Sequence, residues 1–267
     1  MPTGFAPGFA PGRALGLVPG VDAMFAGVLN IFSVGRVYTS GRVRPDETTG
    51  KTGSLVCHVS GVLASQATAA QQCALPAADA AMGGALALTF AGAQWYDSAD
   101  PASYWKPLHD GTGCTWYTVF KPTVSTVHVL HSSRLFVTAA EIGHTAYINN
   151  LTNFFSLVSN GAAESLSLSG GVPGVGTATY LSQKFATAST PDGDLRVRSA
   201  SVSSGNAGAL SSADPVAALR LGAGIAPSNR LPLQATWGAF LYVPRVITVA
   251  EDAFVQNYLR AAYGIAP

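Results

Sequence analysis

Residues 115–123, "TWYTVFKPT", give the clearest indication of the fold. Successive side chains of a β-strand point to opposite sides, so residues two apart share a face. By that rule Trp116, Thr118 and Phe120 lie on one face of a strand. Tyr117 and Val119 lie on the other face. The stretch therefore predicts a β-strand with large side chains on both sides.

Residues 85–98, "ALALTFAGAQWYDS", show the same alternation, with Leu86, Leu88 and Phe90 on one face. Strand-like stretches continue towards the C-terminus, interrupted at roughly every eight to twelve residues. The stretch "PDGD" at 191–194 is typical of a hairpin turn. Many short strands at this spacing predict an all-β sandwich or barrel.

The last part of the chain, residues 245–267, instead predicts a helix. Thr248 is a suitable N-cap, and Glu251 completes a capping box. An apolar stripe follows, and Gly264 is a C-terminal stop. The stripe consists of Phe254, Val255, Tyr258, Leu259 and Ala262. A helix with one apolar face must cover something, so we expect it to close the edge or the end of a sheet.

The same C-terminal stretch resembles the end of concanavalin-like, laminin-G-like jelly-roll domains of bacteriophage virion proteins. Those domains often end with a strand, a turn, a capped helix and a "YLxxKYGI" finish. The matching residues are Arg245, Ile247, Thr248, Glu251, Tyr258, Leu259, Tyr263, Gly264 and Ile265. Leu88, Phe90, Gly92 and Ser98 match an upstream strand of the family, and "VFKP" at 119–122 matches the next one. The resemblance covers roughly residues 55–267 and implies a jelly-roll β-sandwich.

The sequence departs from the family at two places. Trp237 and Gly238 stand where an acidic residue is often found, and the first 50 or so residues do not match the usual opening strand. Pro and Gly are dense in residues 1–20, which disfavours a long helix or a central strand. We therefore expect residues 1–53 to form an extended N-terminal arm and residues 54–267 to form the sandwich domain, which ends in one short helix. Phe5, Phe9 and Leu15 are the predicted anchors of the arm in a virion.

Charged residues make up 11% of the chain, against about 25% in an average globular domain. Such a composition suits a surface hidden in an assembly, and a bias of the host genome would produce it equally well. The net charge is +1 and the arginines are scattered, so no basic stripe indicates nucleic-acid binding.

The cysteines, Cys57, Cys73 and Cys114, are odd in number and widely spaced. They match neither a disulfide framework nor a CxxC metal site, so buried free thiols and a reducing compartment are expected. The N-terminus lacks a signal-peptide pattern, and no apolar run reaches the roughly 18 residues that span a bilayer. We expect no membrane partner and no export by the general secretory route.

Catalytic patterns are absent from the sequence. Retaining glycosidases need two carboxylates about 5 Å apart, but Glu47, Glu141 and Glu164 are not paired along a strand. No Gly-x-Ser-x-Gly elbow is present. At their spacing, His128 and His131 should point to opposite faces of a strand, which disfavours a shared metal. We therefore expect no enzymatic activity.

Two kinds of binding site remain as hypotheses. An aromatic-rich region offers Trp95, Tyr96, Tyr104 and Trp105 for stacking on sugar rings, although alternate members could instead face the core. Calcium, the one cofactor considered, would be bound by loop oxygens of Asp97, Asp100 or Asp192.

The resemblance implies a bacteriophage structural protein that binds other virion subunits, such as the major capsid or a tail protein. It would act as a capsid decoration, a head fibre or a tail-associated component, assembled in the host cytoplasm as a homo-oligomer, for example a trimer. The alternatives are a lectin-like module that binds host-surface glycans and a polysaccharide-degrading enzyme.

Overall fold

The computed structural model describes residues 43–57, 62–134, 141–150, 153–171, 174–225 and 231–267, together with the backbone of residues 30–33. The first strands are β1 Asn30–Ser33, β2 Val43–Pro45, β3 Thr52–Val56, β4 Leu63–Ser65, β5 Ala77–Asp79, β6 Ala85–Ala91, β7 Tyr96–Ser98 and β8 Cys114–Pro122. They are followed by β9 His128–Ser132, β10 Ile142–Asn149, β11 Asn153–Asn160, β12 Glu164–Gly170, β13 Thr179–Phe185, β14 Gly193–Val197, β15 Ala200–Gly205, β16 Arg220–Leu221 and β17 Gln234–Val243. The helix α1 spans Val249–Tyr263. Short 3-10 helices span Ala69–Gln71, Ala80–Met82 and Ala102–Leu108.

The strands form two antiparallel sheets. Sheet I has the order β15-β14-β13-β8-β17-β6-β5, and β1 pairs with the far half of β17. Sheet II has the order β12-β11-β10-β9-β16-β7-β4-β3-β2. Large apolar side chains from the inner faces of both sheets fill the space between them, including Trp116, Phe120, Phe154 and Trp237. Two antiparallel layers around one core confirm the predicted β-sandwich.

The alternation predicted for residues 115–123 is confirmed. Trp116 and Phe120 belong to the core between the sheets. Tyr117 and Val119 belong to a second apolar cluster on the outer face of sheet I. Leu88 and Phe90 are also core residues, as their alternation indicated. The "PDGD" stretch lies at the hairpin between β13 and β14, with Pro191 and Asp192 in the connection and Gly193 and Asp194 already in β14.

The predicted helix is confirmed together with its boundaries. Thr248 and Glu251 form a capping box, and Gly264 ends the helix in the left-handed conformation. The position of the helix needs a correction, because α1 lies on the outer face of sheet I and does not close an edge or an end. Its buried residues Val255 and Leu259 share a cluster with residues of β8, β13 and β17. The helix is therefore the second cover of a sheet that is apolar on both sides.

A buried ionic network holds α1 to the sheet. The Asp252 carboxylate accepts a hydrogen bond from the hydroxyl of Tyr117 and pairs with Lys184 Nζ at 2.7 Å and Arg196 NH1 at 3.2 Å. Burial by itself would raise the pKa of Asp252, but the bonds from Lys184 and Tyr117 outweigh it and keep the pKa below its usual value. Asp252 is therefore charged at neutral pH and ties the first turns of α1 to β8, β13 and β14.

The N-terminal boundary of the sandwich also needs a correction. Residues 30–33 pair with β17 in sheet I, and residues 43–45 pair with β3 in sheet II. The predicted boundary at residue 53 falls inside β3, so the sandwich begins upstream of it. The predicted anchors Phe5, Phe9 and Leu15 lie outside the described residues.

Cys57, Cys73 and Cys114 are buried, which confirms that part of the prediction. Burial raises the pKa of the Cys73 thiol to about 12, so the thiol is protonated at neutral pH. Across the described ranges, no helix is long and apolar enough to cross a membrane.

Candidate functional site

The two outer faces of the sandwich differ. The outer face of sheet I is covered by α1. Within the described ranges, no α-helix packs on the outer face of sheet II, which we call the open face. The side chains that reach it are those that alternate with core residues of the same strands. In "ALRLG", for example, Leu219 and Leu221 belong to the core, so Arg220 points outwards.

The strand registers align one residue from every strand of sheet II in a single line across the open face. Arg44 pairs with Ser54, Ser54 with Ser65, and Ser65 with Asp97. The line continues through the successive pairs Asp97–Arg220, Arg220–Ser132, Ser132–Thr145, Thr145–Leu157 and Leu157–Ser167. We call these nine residues the transverse row. Neighbouring strands are about 4.8 Å apart, so the row presents polar groups at a regular spacing, interrupted only by Leu157.

The part of the row on β9 to β11 is buried. Ser132 and Thr145 have no exposed surface, and their hydroxyls are 2.7 Å apart. Arg134 is only 1% exposed and donates from Nε to Thr145 at 3.3 Å. These side chains satisfy one another, so this part of the row is structural.

The part on β2, β3, β4, β7 and β16 is accessible. Arg220 donates to both carboxylate oxygens of Asp97, at 2.6 and 2.9 Å. The Arg220 guanidinium also lies over the ring of Trp95, 5.2 Å from its centroid, where a cation–π attraction holds it. The pair is therefore fixed in orientation and displays planar donors and acceptors on the open face.

A cavity of about 340 Å³ opens next to this pair, over β2, β3 and β4. Its walls include Arg44, Asp46, Ser54, Leu63 and Ser65. The hydroxyls of Ser54 and Ser65 are 3.0 Å apart. Hydrogen bonds from Gln72 Nε2 and from the backbone N–H of Thr48 lower the pKa of Asp46, which stays ionised. The cavity thus combines two hydroxyls, a cation and an anion with a small apolar surface.

The aromatic residues predicted to stack on sugars do not form a binding platform, which is a correction. Tyr96 and Trp105 have no exposed surface, and Trp95 is 7% exposed. The Tyr96 hydroxyl donates to the carbonyl of Thr52 at 2.9 Å, and Trp105 packs against Tyr242. Tyr104 is partly buried beside Trp105. Tyr96 and Trp105 belong to the core, where the 3-10 helix Ala102–Leu108 carries Trp105 between the sheets, while the Trp95 ring is covered by the Arg220 guanidinium.

The residues predicted to bind calcium are engaged elsewhere. Asp97 is paired with Arg220, and the Asp100 carboxylate accepts a hydrogen bond from the Ser98 hydroxyl at 3.4 Å. Asp192 accepts a hydrogen bond from the backbone of Ala207. Within the described part of the chain, no group of three or more His, Cys, Asp or Glu residues is arranged to hold a metal ion.

The two histidines of β9 differ from expectation in their orientation. His128 pairs with Ile148 and His131 pairs with Ala146, and both partners are core residues on the inner face of sheet II. A register shift in this strand pair places the two rings on the same face, whereas a regular strand would separate them. His131 stacks on His144 with ring centroids 5.3 Å apart and contacts Trp116 edge-on.

The inner histidines occupy an apolar environment with few partners. Nε2 of His144 lies 2.8 Å from the hydroxyl of Ser156, which in turn donates to Gln183. Among the residues that the structure describes, neither ring nitrogen of His131 has a hydrogen-bond partner. Burial lowers the pKa of His144 to about 3 and that of His128 to about 4. All three rings are therefore neutral at physiological pH.

Comparison with known proteins gives information only at the level of structure. No protein-family model matches the sequence, and no curated protein matches it. Among solved structures, the CBM40 module of the Ruminococcus gnavus IT-sialidase, bound to α2,3-sialyllactose, superposes with a TM-score of 0.51 and 14% identity. The match covers 64% of this chain and 95% of that module.

Two larger proteins share the fold over part of their length. A Trypanosoma rangeli sialidase in complex with 2,3-difluorosialic acid has a TM-score of 0.55 and 12% identity, over 88% of this chain and 33% of that one. The leech intramolecular trans-sialidase has a TM-score of 0.51 and 17% identity, over 68% and 27%. The chain is a concanavalin-like jelly-roll β-sandwich. At these identities the likeness establishes the fold alone.

Sequence reasoning did not select Arg220, Ser54 or Ser65. A signal for Arg220 was present, because a cation between two leucines in "ALRLG" indicates the outward face of a strand. For Ser54 and Ser65 the signal was weaker, because small polar residues are common in loops as well as on open sheet faces. Their alignment with Asp97 depends on strand pairings between distant segments.

Proposed function

We propose that this domain binds carbohydrate without cleaving it, through the accessible part of the transverse row and the cavity over β2, β3 and β4. The observation that carries the proposal is the row itself, a line of hydroxyl, guanidinium and carboxylate groups across the face that α1 leaves free.

The chemistry of the row suits a polyhydroxylated ligand. A sugar hydroxyl donates one hydrogen bond and accepts others, and Ser54 and Ser65 offer the same capacity in return. The fixed Arg220–Asp97 pair presents both donors and acceptors, and its charges cancel locally. Leu63 supplies an apolar wall against which the carbon skeleton of a sugar ring can pack. The combination favours a saccharide over a purely apolar ligand.

The fold comparison supports this class of ligand. The CBM40 module, which this chain spans almost completely, has been solved with sialyllactose. That complex shows that a β-sandwich of this kind can serve carbohydrate binding, and the residues of the row make it a reasonable function here. The sugar that this chain would bind is not implied by the fold.

The absence of catalysis is part of the proposal. Retaining glycosidases place two carboxyl groups about 5 Å apart. Asp97 is the one carboxylate of the row, and its oxygens are both occupied by Arg220. The carboxylate of the cavity, Asp46, accepts hydrogen bonds from the backbone of Thr48 and from Gln72. A reducing-end assay with a broad polysaccharide panel tests this point, and hydrolysis that disappears in Asp97→Asn would contradict it.

A glycan array is the direct test of binding. Ser54→Ala/Ser65→Ala removes two accessible hydroxyls of the row, while Ser204→Ala removes an exposed hydroxyl from β15 in the other sheet. We expect saturable binding by the wild type and by Ser204→Ala, and at least a tenfold loss in the double variant. No binding across a broad array, or equal binding by all three proteins, would reject the proposal.

A structural role in a bacteriophage particle is the second candidate. It rests on the resemblance of the C-terminal segment to virion jelly-roll domains and on the low charge content of 11%. In that role the domain would bind other virion proteins as a homo-oligomer, assembled in the host cytoplasm, with residues 1–20 as its attachment. Light scattering on the purified chain tests the oligomer, and a monodisperse monomer would weaken this candidate. Removal of residues 1–20 should then abolish incorporation into particles while the sandwich stays folded.

A further inference from the structure

A second cavity, of about 210 Å³, lies at one end of the sandwich. It is lined by Phe154, Gly174, Thr177, Thr179, Val197 and Arg198. Thr179 is the first residue of β13 and pairs with the core residue Phe120, so its side chain points inwards. Phe154 is a core residue near the start of β11. We call this opening between the sheets the Arg198 pocket. It is separate from the transverse row.

Arg198 occupies an unusual backbone position. It is the first residue of the two-residue turn between β14 and β15, where Val197 pairs with Ala200. Its φ is 56°, a left-handed conformation that glycine and asparagine adopt far more readily than other residues. Strain of this kind persists where something else fixes the residue, and it often marks a functional position.

The positive charge of Arg198, like that of Arg44 and Arg260, is not paired with a carboxylate among the described residues. Arg134, Arg196, Arg220 and Arg245 each form an ion pair with a carboxylate. No carboxylate of the described residues lines the Arg198 pocket either. The guanidinium, with its planar set of donors, therefore has no anion opposite it.

A buried hydroxyl in the same pocket lacks a partner as well. Thr179 is 6% exposed, and its Oγ1 makes no hydrogen bond within the described part of the chain. A buried hydroxyl without a partner is unfavourable, which makes it a natural donor to a bound group. The hydroxyl of Thr177, which is exposed at the rim, is a second donor.

We propose that the Arg198 pocket binds a small oxyanion, that is, a carboxylate, sulfate or phosphate group. The guanidinium of Arg198 would form two parallel hydrogen bonds to two oxygens of the anion, as it does with carboxylates and phosphates in general. The hydroxyls of Thr179 and Thr177 would donate to the same group. The anion reaches the protein either as a free ion or as a substituent of a larger molecule such as an acidic saccharide.

Amide NMR titrations at constant ionic strength test the proposal. Inorganic phosphate and sulfate are titrated as free ions, and glucuronic acid is compared with glucose, which lacks the carboxylate. We expect saturable shifts confined to the amides around residues 174–180 and 197–199. Free ions that bind as well as glucuronic acid would identify a free-ion site. Glucuronic acid that binds at least tenfold tighter than the ions would identify an acidic substituent as the ligand.

Two variants separate binding from folding. Arg198→Gly removes the guanidinium, so we expect binding to be lost. Because glycine suits the left-handed turn, the melting temperature should be unchanged or about 2 to 4 °C higher than that of the wild type. Thr179→Val keeps the shape and removes the buried hydroxyl, and it should weaken binding several-fold. Lys106→Gln, which removes a cation outside the pocket, is the control and should bind as the wild type does. The proposal is overturned if no ligand gives saturable shifts at these amides or if Arg198→Gly binds unchanged.

Discussion

Arg220 of β16 and Asp97 of β7 form a bidentate pair across the open face, with both hydrogen bonds shorter than 3 Å. Side chains held by two hydrogen bonds and an underlying Trp95 ring are already ordered before a ligand arrives. Little conformational entropy is then lost on binding. The pair is therefore the part of the proposed carbohydrate site that is ordered before any ligand binds.

Arg220→Lys should separate binding from stability. Lysine keeps the charge, but it cannot reproduce the planar two-bond contact with Asp97 or the stacking on Trp95. We expect glycan affinity to fall by about tenfold, because the orientation of Asp97 is lost. The free energy of unfolding should change by less than about 1 kcal/mol, because the carboxylate is 49% exposed. Array binding and urea denaturation measure the two effects, and a large loss of stability with unchanged binding would contradict this prediction.

Asp252→Asn should loosen α1. The substitution leaves Lys184 and Arg196 without their shared buried anion, which we expect to lower the free energy of unfolding by about 3 kcal/mol. Asp194→Asn is the matched control, because Asp194 contacts the same Arg196 at a more exposed site and should cost about 1 kcal/mol. Denaturant unfolding compares the two variants. Equal effects would mean that the network under α1 has no special role.

The same carboxylate predicts a loss of stability in acid. The pKa of Asp252 is lower in the folded protein than in the unfolded chain, so the unfolded state takes up the proton first. Its stabilising contribution is complete above the unfolded pKa, about 3.9, and is lost as the pH falls through the folded value. Below about pH 4, wild type and Asp252→Asn should therefore approach the same stability.

The buried histidines predict a second pH effect at milder acidity. Burial lowers the pKa of His144 to about 3, and burial next to His144 places the pKa of His131 well below its usual value. Unfolded histidines bind protons from about pH 6.5 downwards, so stability should fall as the pH falls below 6.5. Each buried histidine contributes a slope of about 1.4 kcal/mol per pH unit.

His131→Phe tests this effect. The ring of His131 already packs against Trp116 and Phe240 and makes no hydrogen bond within the described part of the chain, so phenylalanine suits the site. We expect similar stability at pH 7.5 and a slope reduced by about 1.4 kcal/mol per pH unit between pH 6 and pH 4.5. Thermal or urea unfolding across this range measures it. An unchanged slope would show that His131 does not stay neutral in the folded protein.

Gly238→Ala should destabilise the contact between α1 and sheet I. A Cβ at this position would lie 2.5 Å from the Tyr263 ring, and the Tyr263 hydroxyl donates to the carbonyl of Gly238 at 3.0 Å. We expect a loss of about 2 kcal/mol from overpacking. Gly205→Ala in β15 is the control, since its nearest neighbour would be at an ordinary 3.5 Å. A similar loss in both variants would point to a general strand effect.

The sequence was sufficient to predict the elements with strong local signals. The capping box of Thr248 and Glu251 and the stop at Gly264 depend on residues a few positions apart, so the bounds of α1 are confirmed. The alternation around Trp116 likewise depends on the strand period alone. The position of α1 on a face of sheet I could not be predicted, because it depends on which strands assemble beneath the helix.

The candidate site was far less predictable. Tyr96 and Trp105 were selected for their aromatic character, but whether a ring faces the core is decided by tertiary packing. The orientation of His128 depends on a register shift between β9 and β10 that no local pattern announces. Ser65 and Asp97 become neighbours only through the pairing of β4 with β7.

The place of β17 in sheet I has a consequence for folding kinetics. This strand lies between β6 and β8 and also carries β1, although its residues follow β6 and β8 at a long distance in the chain. Until it is inserted, the facing edges of β6 and β8 have no partner, and such edges are prone to intermolecular pairing. Pairing between segments so distant in sequence also slows the search for the native topology. Refolding at low protein concentration should therefore give the higher yield, because insertion of β17 then competes with fewer encounters between chains.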